Sequence, residues 1–341
     1  MKQACESTGQ ESGSATEDQQ GGTQPPDRPY VSIILCTSGL RPMLIRCLEC
    51  LTAQAKESPN CEVILVLNAP EDAAFAQAVS RFPVKLLNEP RRGVSIARNY
   101  ALPRARGDIL VFVDDDVLIS PNWLDEIVKG FDDPNVACVT GRVIPAGALH
   151  FTAERSERYY TSERALSTWT LDASDPNWYQ RLLGDPVGFG CNMAFRKSFL
   201  QNYTSFPADL GAGSLIGGGD EFYMYVQVVK HGFRIHHAPK AAVTHFFDDN
   251  VEKQKARSAQ LYAGSVAFAI KLFLEEKTLR LATVKWLFSG LKRRIRRFWN
   301  QKAIASEPQE LLSPREKIRA YLQGVGVYWK SRRIRRSTTD S

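Results

Sequence analysis

Four aspartates carry the most visible chemistry in this chain. Asp114, Asp115 and Asp116 follow one another directly behind the apolar run Ile109-Leu110-Val111-Phe112-Val113. Asp220 stands roughly a hundred residues further on, behind the glycines Gly217-Gly218-Gly219. Clustered carboxylates repel one another, and a hard divalent cation with oxygen ligands removes that cost. A cation held by one or two aspartates completes its shell with substrate phosphates and water, so the triplet reads as a metal–diphosphate site. In an extended chain Asp114 and Asp116 point the same way. An acidic, solvated turn after a strand is the competing reading, and the triplet alone leaves both open. On its own, Asp220 after a glycine run reads as a helix cap.

The elements that must position these acids are legible from periodicity. Ile109–Val113 has the unbroken apolar pattern of a strand buried on both faces, and open α/β sheets bind ligands beyond the carboxyl ends of such strands. Val31-Ser32-Ile33-Ile34-Leu35-Cys36 reads as a first strand, followed by the turn Thr37-Ser38-Gly39-Leu40-Arg41 and a helix from Pro42. Val63–Leu67 is a second strand that stops at Asn68-Ala69-Pro70, with a helix over about 71–80. Val84–Leu87 is a third, and Gly93 to Ala105 reads as helix. The βαβαβα alternation predicts a parallel, doubly wound sheet. Ser120-Pro121 opens a helix with Leu124, Ile127, Val128 and Phe131 on one face, and Val136–Ile144 is a further strand. Residues 146–187 are irregular and aromatic (Tyr159, Tyr160, Trp169, Trp178, Tyr179). They are expected to shape a pocket, with packing under a loop as the alternative.

The net charge of +7 conceals an asymmetry: residues 251–341 hold 21 Lys and Arg against 7 Asp and Glu, while residues 1–250 hold 23 against 30. A partner for the basic charge is therefore to be sought in the tail. There Val284, Leu287, Phe288, Leu291, Ile295 and Phe298 fall at helical spacing beside Lys292, Arg293, Arg294, Arg296 and Arg297, with a second cluster from Lys330 to Arg336. This pattern predicts an amphipathic helix on an anionic membrane surface, against the alternative of a helix packed on the main domain. No nucleic-acid recognition fold accompanies the charge, and no nucleic acid is expected. Ser258 to Ile270, the longest charge-free stretch of the tail, is too short to span a bilayer. The polar start lacks the apolar core of a secretory signal, and residues 1–28 are expected to be disordered. The cysteines suggest no disulfide framework; Cys47 of the lone Cys47-x-x-Cys50 falls on a helix's apolar stripe, and a reducing cytosol is expected.

In order and spacing, six segments resemble the family-2 glycosyltransferases, inverting enzymes of the GT-A fold. They are Val31–Ile34 with its turn, Gly93–Asn99, Asp114–Asp116, Gly188–Arg196, Gly218-Gly219-Asp220-Glu221 and Pro239–His245. The resemblance covers about residues 30–275. It implies a GT-A, Rossmann-like α/β sheet over residues 29–250, with a basic amphipathic helical extension over 251–341. It further implies that Thr37, Ser38 and Arg41 hold the nucleotide base, that Asn68 lies near base and ribose, and that Arg98 approaches ribose or diphosphate. Asp116 would ligate a divalent cation (Mn²⁺ or Mg²⁺), with Asp114 and Asp115 on the donor side and His245 contacting metal or phosphate. Asp220 would be the catalytic base, although the Glu that usually precedes it in the family is Gly219 here. His236 and His237 receive no role.

The expected function is thus metal-assisted, inverting transfer of a sugar from a nucleotide sugar, a UDP-sugar first, to a glycan or lipid-linked acceptor. The expected setting is cell-envelope polysaccharide or glycolipid synthesis by a cytoplasmic protein held peripherally on the inner membrane. One rival is a sugar-phosphate nucleotidyltransferase, which would need a Gly-rich phosphate loop after the first strand, where Thr37–Arg41 has a single glycine. The other is a non-catalytic membrane- or nucleic-acid-binding protein, which needs neither Asp116 nor Asp220.

Overall fold

The computed structural model describes residues 28–146, 160–184, 187–247, 250–286, 288 and 311–339. The expected disordered tail (all but its last residue), Tyr159 and the basic stretch 292–297 of the expected membrane helix lie outside the described residues.

Four strands, β1 (Val31–Thr37), β2 (Cys61–Leu67), β3 (Lys85–Asn88) and β4 (Ile109–Asp114), pair in parallel in the order β3-β2-β1-β4. Three short helical crossovers return the chain: α1 (Pro42–Glu57), α2 (Ala73–Val79) and α3 (Val94–Ala101). α1 buries Leu44, Cys47, Leu48 and Leu51, so Cys47 is a packing residue, as its place on the apolar stripe predicts. Asp72 caps α2 by accepting from the N–H groups of Ala74 and Phe75.

Beyond β4 the sheet departs from the all-parallel expectation. β5 (Val117–Ile119), β6 (Val136–Ala146), β7 (Trp169–Leu171), β8 (Asn192–Arg196) and β9 (Arg234–Phe246) extend it, and α4 (Trp123–Lys129) follows β5. β8 runs antiparallel to both β4 and β6, while β6 and β9 are parallel. The cause is connectivity: between β6 and β8 the chain passes through the aromatic excursion, including α5 (Trp178–Gly184), and re-enters the sheet at the end where it left β6, so β8 runs back against β6.

Alternation along the strands divides the core between two faces. Ile33, Leu35, Val111 and Trp123 lie on one, and Ile34, Phe112, Phe195, Phe206 and Tyr225 on the other. The second face also receives α6 (Asp220–Lys230), α7 (Val251–Glu275) and the first part of α8 (Pro314–Thr339): Phe268, Leu272 and Tyr328 are buried in it. No helix among the described residues is long and apolar enough to cross a membrane.

Inside this layer Lys271 is buried with Nζ 2.8 Å from Glu275 and 3.2 Å from Asp209, and Ser331 Oγ of α8 lies 3.4 Å from the same Asp209 carboxylate. The contacts tie both C-terminal helices to the loop that leads into α6. Removing one partner of a buried ion pair strands the other charge. Lys271→Met should therefore cost about 3–5 kcal/mol in urea unfolding, and the Asp209→Asn/Lys271→Met double variant should recover part of the loss.

Candidate active site

The acids collect where the parallel strands end. Asp114 closes β4, in register with Cys36 one residue before the end of β1. The side chains of Asp114 and Asp116 are 39% and 31% exposed, whereas Asp115 turns into the protein. Asp115 accepts a hydrogen bond from Thr37 Oγ1, and Arg41 Nε stands 3.4 Å from it. Burial pushes its carboxyl up to about 6, against the pull of Thr37 and Arg41. Arg41 also donates to Ser38 Oγ at 3.1 Å. Thr37, Ser38 and Arg41 thus form one turn at the end of β1, with Ser38 and Arg41 facing solvent. Asn68 has a different employment: its amide donates to the carbonyls of Glu89 and Arg91 (2.9 and 2.7 Å) and accepts from Gly93 N–H at 2.9 Å. Its side chain staples the loops after β2 and β3 to the start of α3.

Asp116 and His245 are brought together by β5 and β9, in which Val117 pairs with His245 and the Phe246 N–H donates to the Asp116 carbonyl. His245 Nε2 is 3.1 Å from Asp116 Oδ1, an ion-pair distance, yet that buried oxygen has no aligned hydrogen-bond donor. Burial disfavours a charged imidazole here. Asp116, helped by Asp114 and Asp115, outweighs it and lifts His245 above its ordinary value. Asp114, Cys191 and His245 each offer a ligand atom within 4.8 Å of the others. An unsatisfied carboxylate oxygen beside a histidine and a second carboxylate is a donor set that suits a divalent cation.

Arg98 is buried and does not reach outward as a donor-binding side chain would. Nη1 donates to Asp220 at 2.6 Å, and Nη2 to Asp114 at 3.3 Å and to the Gly190 carbonyl at 3.0 Å. Its guanidinium lies over the rings of Phe206 and Phe112, 5.4 and 5.8 Å from their centroids. Burial alone would lower its pKa; Asp220 and Asp114 more than compensate and raise it. Arg98 therefore joins the cation-side acids to Asp220.

Asp220 begins α6 and is buried; the next residue, Glu221, is half-buried. The preceding Gly219 has φ of 84°, and a Cβ there would press within 3.2 Å of Phe268, so a glutamate at 219 would be strained in backbone and would crowd that ring. A Cβ on Gly211 would meet the Asp220 carboxylate at 3.0 Å, so the neighbouring loop also approaches as bare backbone. Glu221 forms no direct ion pair among the described residues. Burial, reinforced by Asp220, pushes its carboxyl up to about 8.

One residue and one pairing are not legible in the sequence. Cys191 sits beside Asp114 and His245, signalled only by its place in Gly188-Phe189-Gly190-Cys191-Asn192. Arg98 was visible, but its buried partner 122 residues away was not. His237 is buried against Trp169, whose ring stacks on it at 5.1 Å, away from the acids. Two surface hollows, of about 160 and 710 Å³, are lined by residues of α4 and β9 and of α1 and β2, and none of the acids above borders them.

Residues 32–204 match the glycosyl transferase family 2, and the chain belongs to that family. It is 24% identical to the putative glycosyltransferase EpsH of Bacillus subtilis over 62% of this chain, and spans 62% of that protein's length. It is 25% identical to the succinoglycan biosynthesis protein ExoM of Rhizobium meliloti, over 71% of this chain and 77% of ExoM. Among solved structures, the mannosyltransferase PcManGT of Pyrobaculum calidifontis, in complex with GDP-Man and Mn²⁺, superposes with a TM-score of 0.54 at 20% identity. The match covers 88% of this chain and 85% of that one, and defines the fold as GT-A.

Arg98 offers a direct check on this geometry. Arg98→Lys keeps the charge but cannot fork between two acids, and should cost about 1.5–3 kcal/mol in denaturant unfolding. Asp114→Asn on top of it should add less than it does alone, because the two side chains share one contact.

Proposed function

We propose that the protein is an inverting glycosyltransferase that moves a sugar from a nucleoside-diphosphate sugar to a hydroxyl of a glycan or lipid-linked acceptor, with help from Mn²⁺ or Mg²⁺. The observation that carries this reading is the convergence of Asp114, Asp116 and His245 with the Arg98–Asp220–Glu221 group at the carboxyl ends of the strands. A UDP-sugar is the first donor to test, and the GDP-Man of the PcManGT complex makes a GDP-sugar the second. The name of ExoM supports an acceptor in polysaccharide synthesis, and the basic C-terminal region supports work at an anionic membrane face on the cytoplasmic side.

Asp116 and His245 would hold the cation, with Asp114 and the Cys191 thiol beside them. When bound, such a cation neutralises charge on the departing diphosphate as a Lewis acid. The Thr37–Arg41 turn borders the nucleotide, with Asp115 fixing Thr37 and Arg41 from below. Arg98 keeps Asp114 in place and draws Asp220 to the same point. The acceptor hydroxyl must lose its proton as it attacks the anomeric carbon from the face opposite the leaving group, and a single displacement inverts the configuration.

The acids at the start of α6 share that work. Asp220 Oδ2 accepts a hydrogen bond from the buried Arg98 guanidinium at 2.6 Å, which fixes its position. Glu221 has no ion-pair partner among the described residues, and burial, the Asp220 charge and a hydrogen bond shared with Asp220 raise its carboxyl to about 8. We therefore assign proton abstraction to the Asp220–Glu221 pair, in which Asp220, the residue expected from sequence, also positions Arg98.

Asp116→Ala should abolish transfer, and donor binding in this variant should no longer respond to added cation; unchanged turnover would remove the metal from the mechanism. Glu221→Gln should slow transfer about 10²–10⁴-fold while leaving donor and cation binding intact. Because a base must be unprotonated, kcat/KM of the wild type should rise with pH through about 8 and then level off, and this limb should vanish in Glu221→Gln. If Asp220→Asn shows the kinetic defect and Glu221→Gln transfers within a few-fold of wild type, the assignment narrows to Asp220 alone.

A further inference from the structure

α8 has two unlike faces. Ala320, Gly324, Tyr328 and Ser331 are buried against α7 and the core. The approach at Gly324 is so close that a Cβ would come within 2.4 Å of the Ala263 carbonyl oxygen. On the other side Ile318, Leu322, Val325 and Trp329 are 59, 70, 43 and 47% exposed. At about 100° per residue these four fall within roughly 60° of arc, a continuous apolar stripe along about three turns.

Charge flanks that stripe. Arg315, Arg319 and Arg333 lie along one border and Arg332 along the other, its guanidinium 5.5 Å from the Trp329 ring centroid. From Lys317 to Ile334 the helix has no acidic residue, and Glu316, just before, is already paired with Lys255 at 3.1 Å. A narrow apolar ridge bordered by long cationic side chains matches an anionic bilayer surface. The apolar groups enter the boundary of the acyl chains, the arginines reach back to lipid phosphates, and a tryptophan sits at the level of the headgroups. No helix among the described residues could span the bilayer, so this one would lie in its plane.

We propose that the Ile318–Leu322–Val325–Trp329 face of α8, bordered by Arg315, Arg319, Arg332 and Arg333, is the surface on which the protein docks to an anionic membrane. This deepens the membrane-surface reading above, and rests on it, by narrowing the contact from residues 284–336 to one exposed face of α8. The contact has a path to the site, since Ser331 on the buried side of α8 touches Asp209 in the loop that enters α6. Docking would hold that loop in a fixed attitude to the bilayer, which suits an acceptor carried on a lipid.

The test is co-sedimentation of the full chain with vesicles of phosphatidylcholine alone or mixed equally with phosphatidylglycerol, with oligomeric state measured by light scattering. Wild type should bind the mixed vesicles and only weakly the neutral ones. Leu322→Ser/Trp329→Ser should reduce partitioning at least tenfold. Each of Arg315→Gln, Arg319→Gln, Arg332→Gln and Arg333→Gln should reduce it by about fivefold. The exposed positions should leave melting temperature and donor hydrolysis unchanged. If these variants bind like wild type while neutralising Lys292 to Arg297 abolishes binding, the membrane reading stands and this docking face is wrong. If wild type ignores anionic vesicles at low salt, both fail. If Leu322→Ser/Trp329→Ser turns a wild-type dimer into a monomer, the face belongs to a second copy and the proposal is overturned.

Discussion

The site depends on one buried cation. Arg98 is taken out of water against the buried Asp220 and the more exposed Asp114, and neither buried charge of the Arg98–Asp220 pair is tolerable without the other. That constraint explains much of the surrounding sequence. Phe112 and Phe206 give the guanidinium ring faces, the Gly190 carbonyl accepts one of its remaining protons, and Gly211 lets the loop before α6 pass close to Asp220. A side chain that looks like a donor-binding arginine in sequence is the clamp that fixes two halves of a mixed sheet around one point.

Division of labour among the acids follows from the backbone. The tight turn between β4 and β5 leaves Asp114 and Asp116 on the open side and sends Asp115 inward to Thr37 and Arg41. A helix start separates Asp220 from Glu221 in a comparable way. The first is drawn into the buried ion pair, and the second is left with burial and a neighbouring carboxylate that both resist its ionisation. Adjacent residues of nearly identical chemistry thereby sit in unlike surroundings.

How much of this could be read from sequence depended on the range of the interaction. β1, β2, β4 and α1 were legible because continuous apolar runs and a 3.6-residue stripe are local patterns. The Asp114–Asp116 cluster was legible for the same reason. The antiparallel entry of β8 was not, because nothing in Asn192–Arg196 states which edge it will join or in which direction. The pairing of Arg98 with Asp220 spans 122 residues, and the surroundings of Asp220 and Glu221 are set only in the folded chain. Asn68 was correctly placed in a turn, but its amide is engaged by Glu89, Arg91 and Gly93. The charge asymmetry of the tail was plain in composition. The exposed apolar face of α8 emerged only once Ala320, Gly324 and Tyr328 had been placed against the core.

The central claim is that the Asp114–Asp116–His245 group and the neighbouring turn form a cation-dependent nucleoside-diphosphate site. Calorimetric titration of UDP and GDP into the full chain, once with Mn²⁺ and once after chelation, tests it most directly. The account predicts that at least one of the two binds with Mn²⁺ present and at least tenfold more weakly without it. Equal affinity in the two conditions, or no binding of either nucleotide with Mn²⁺, would contradict it.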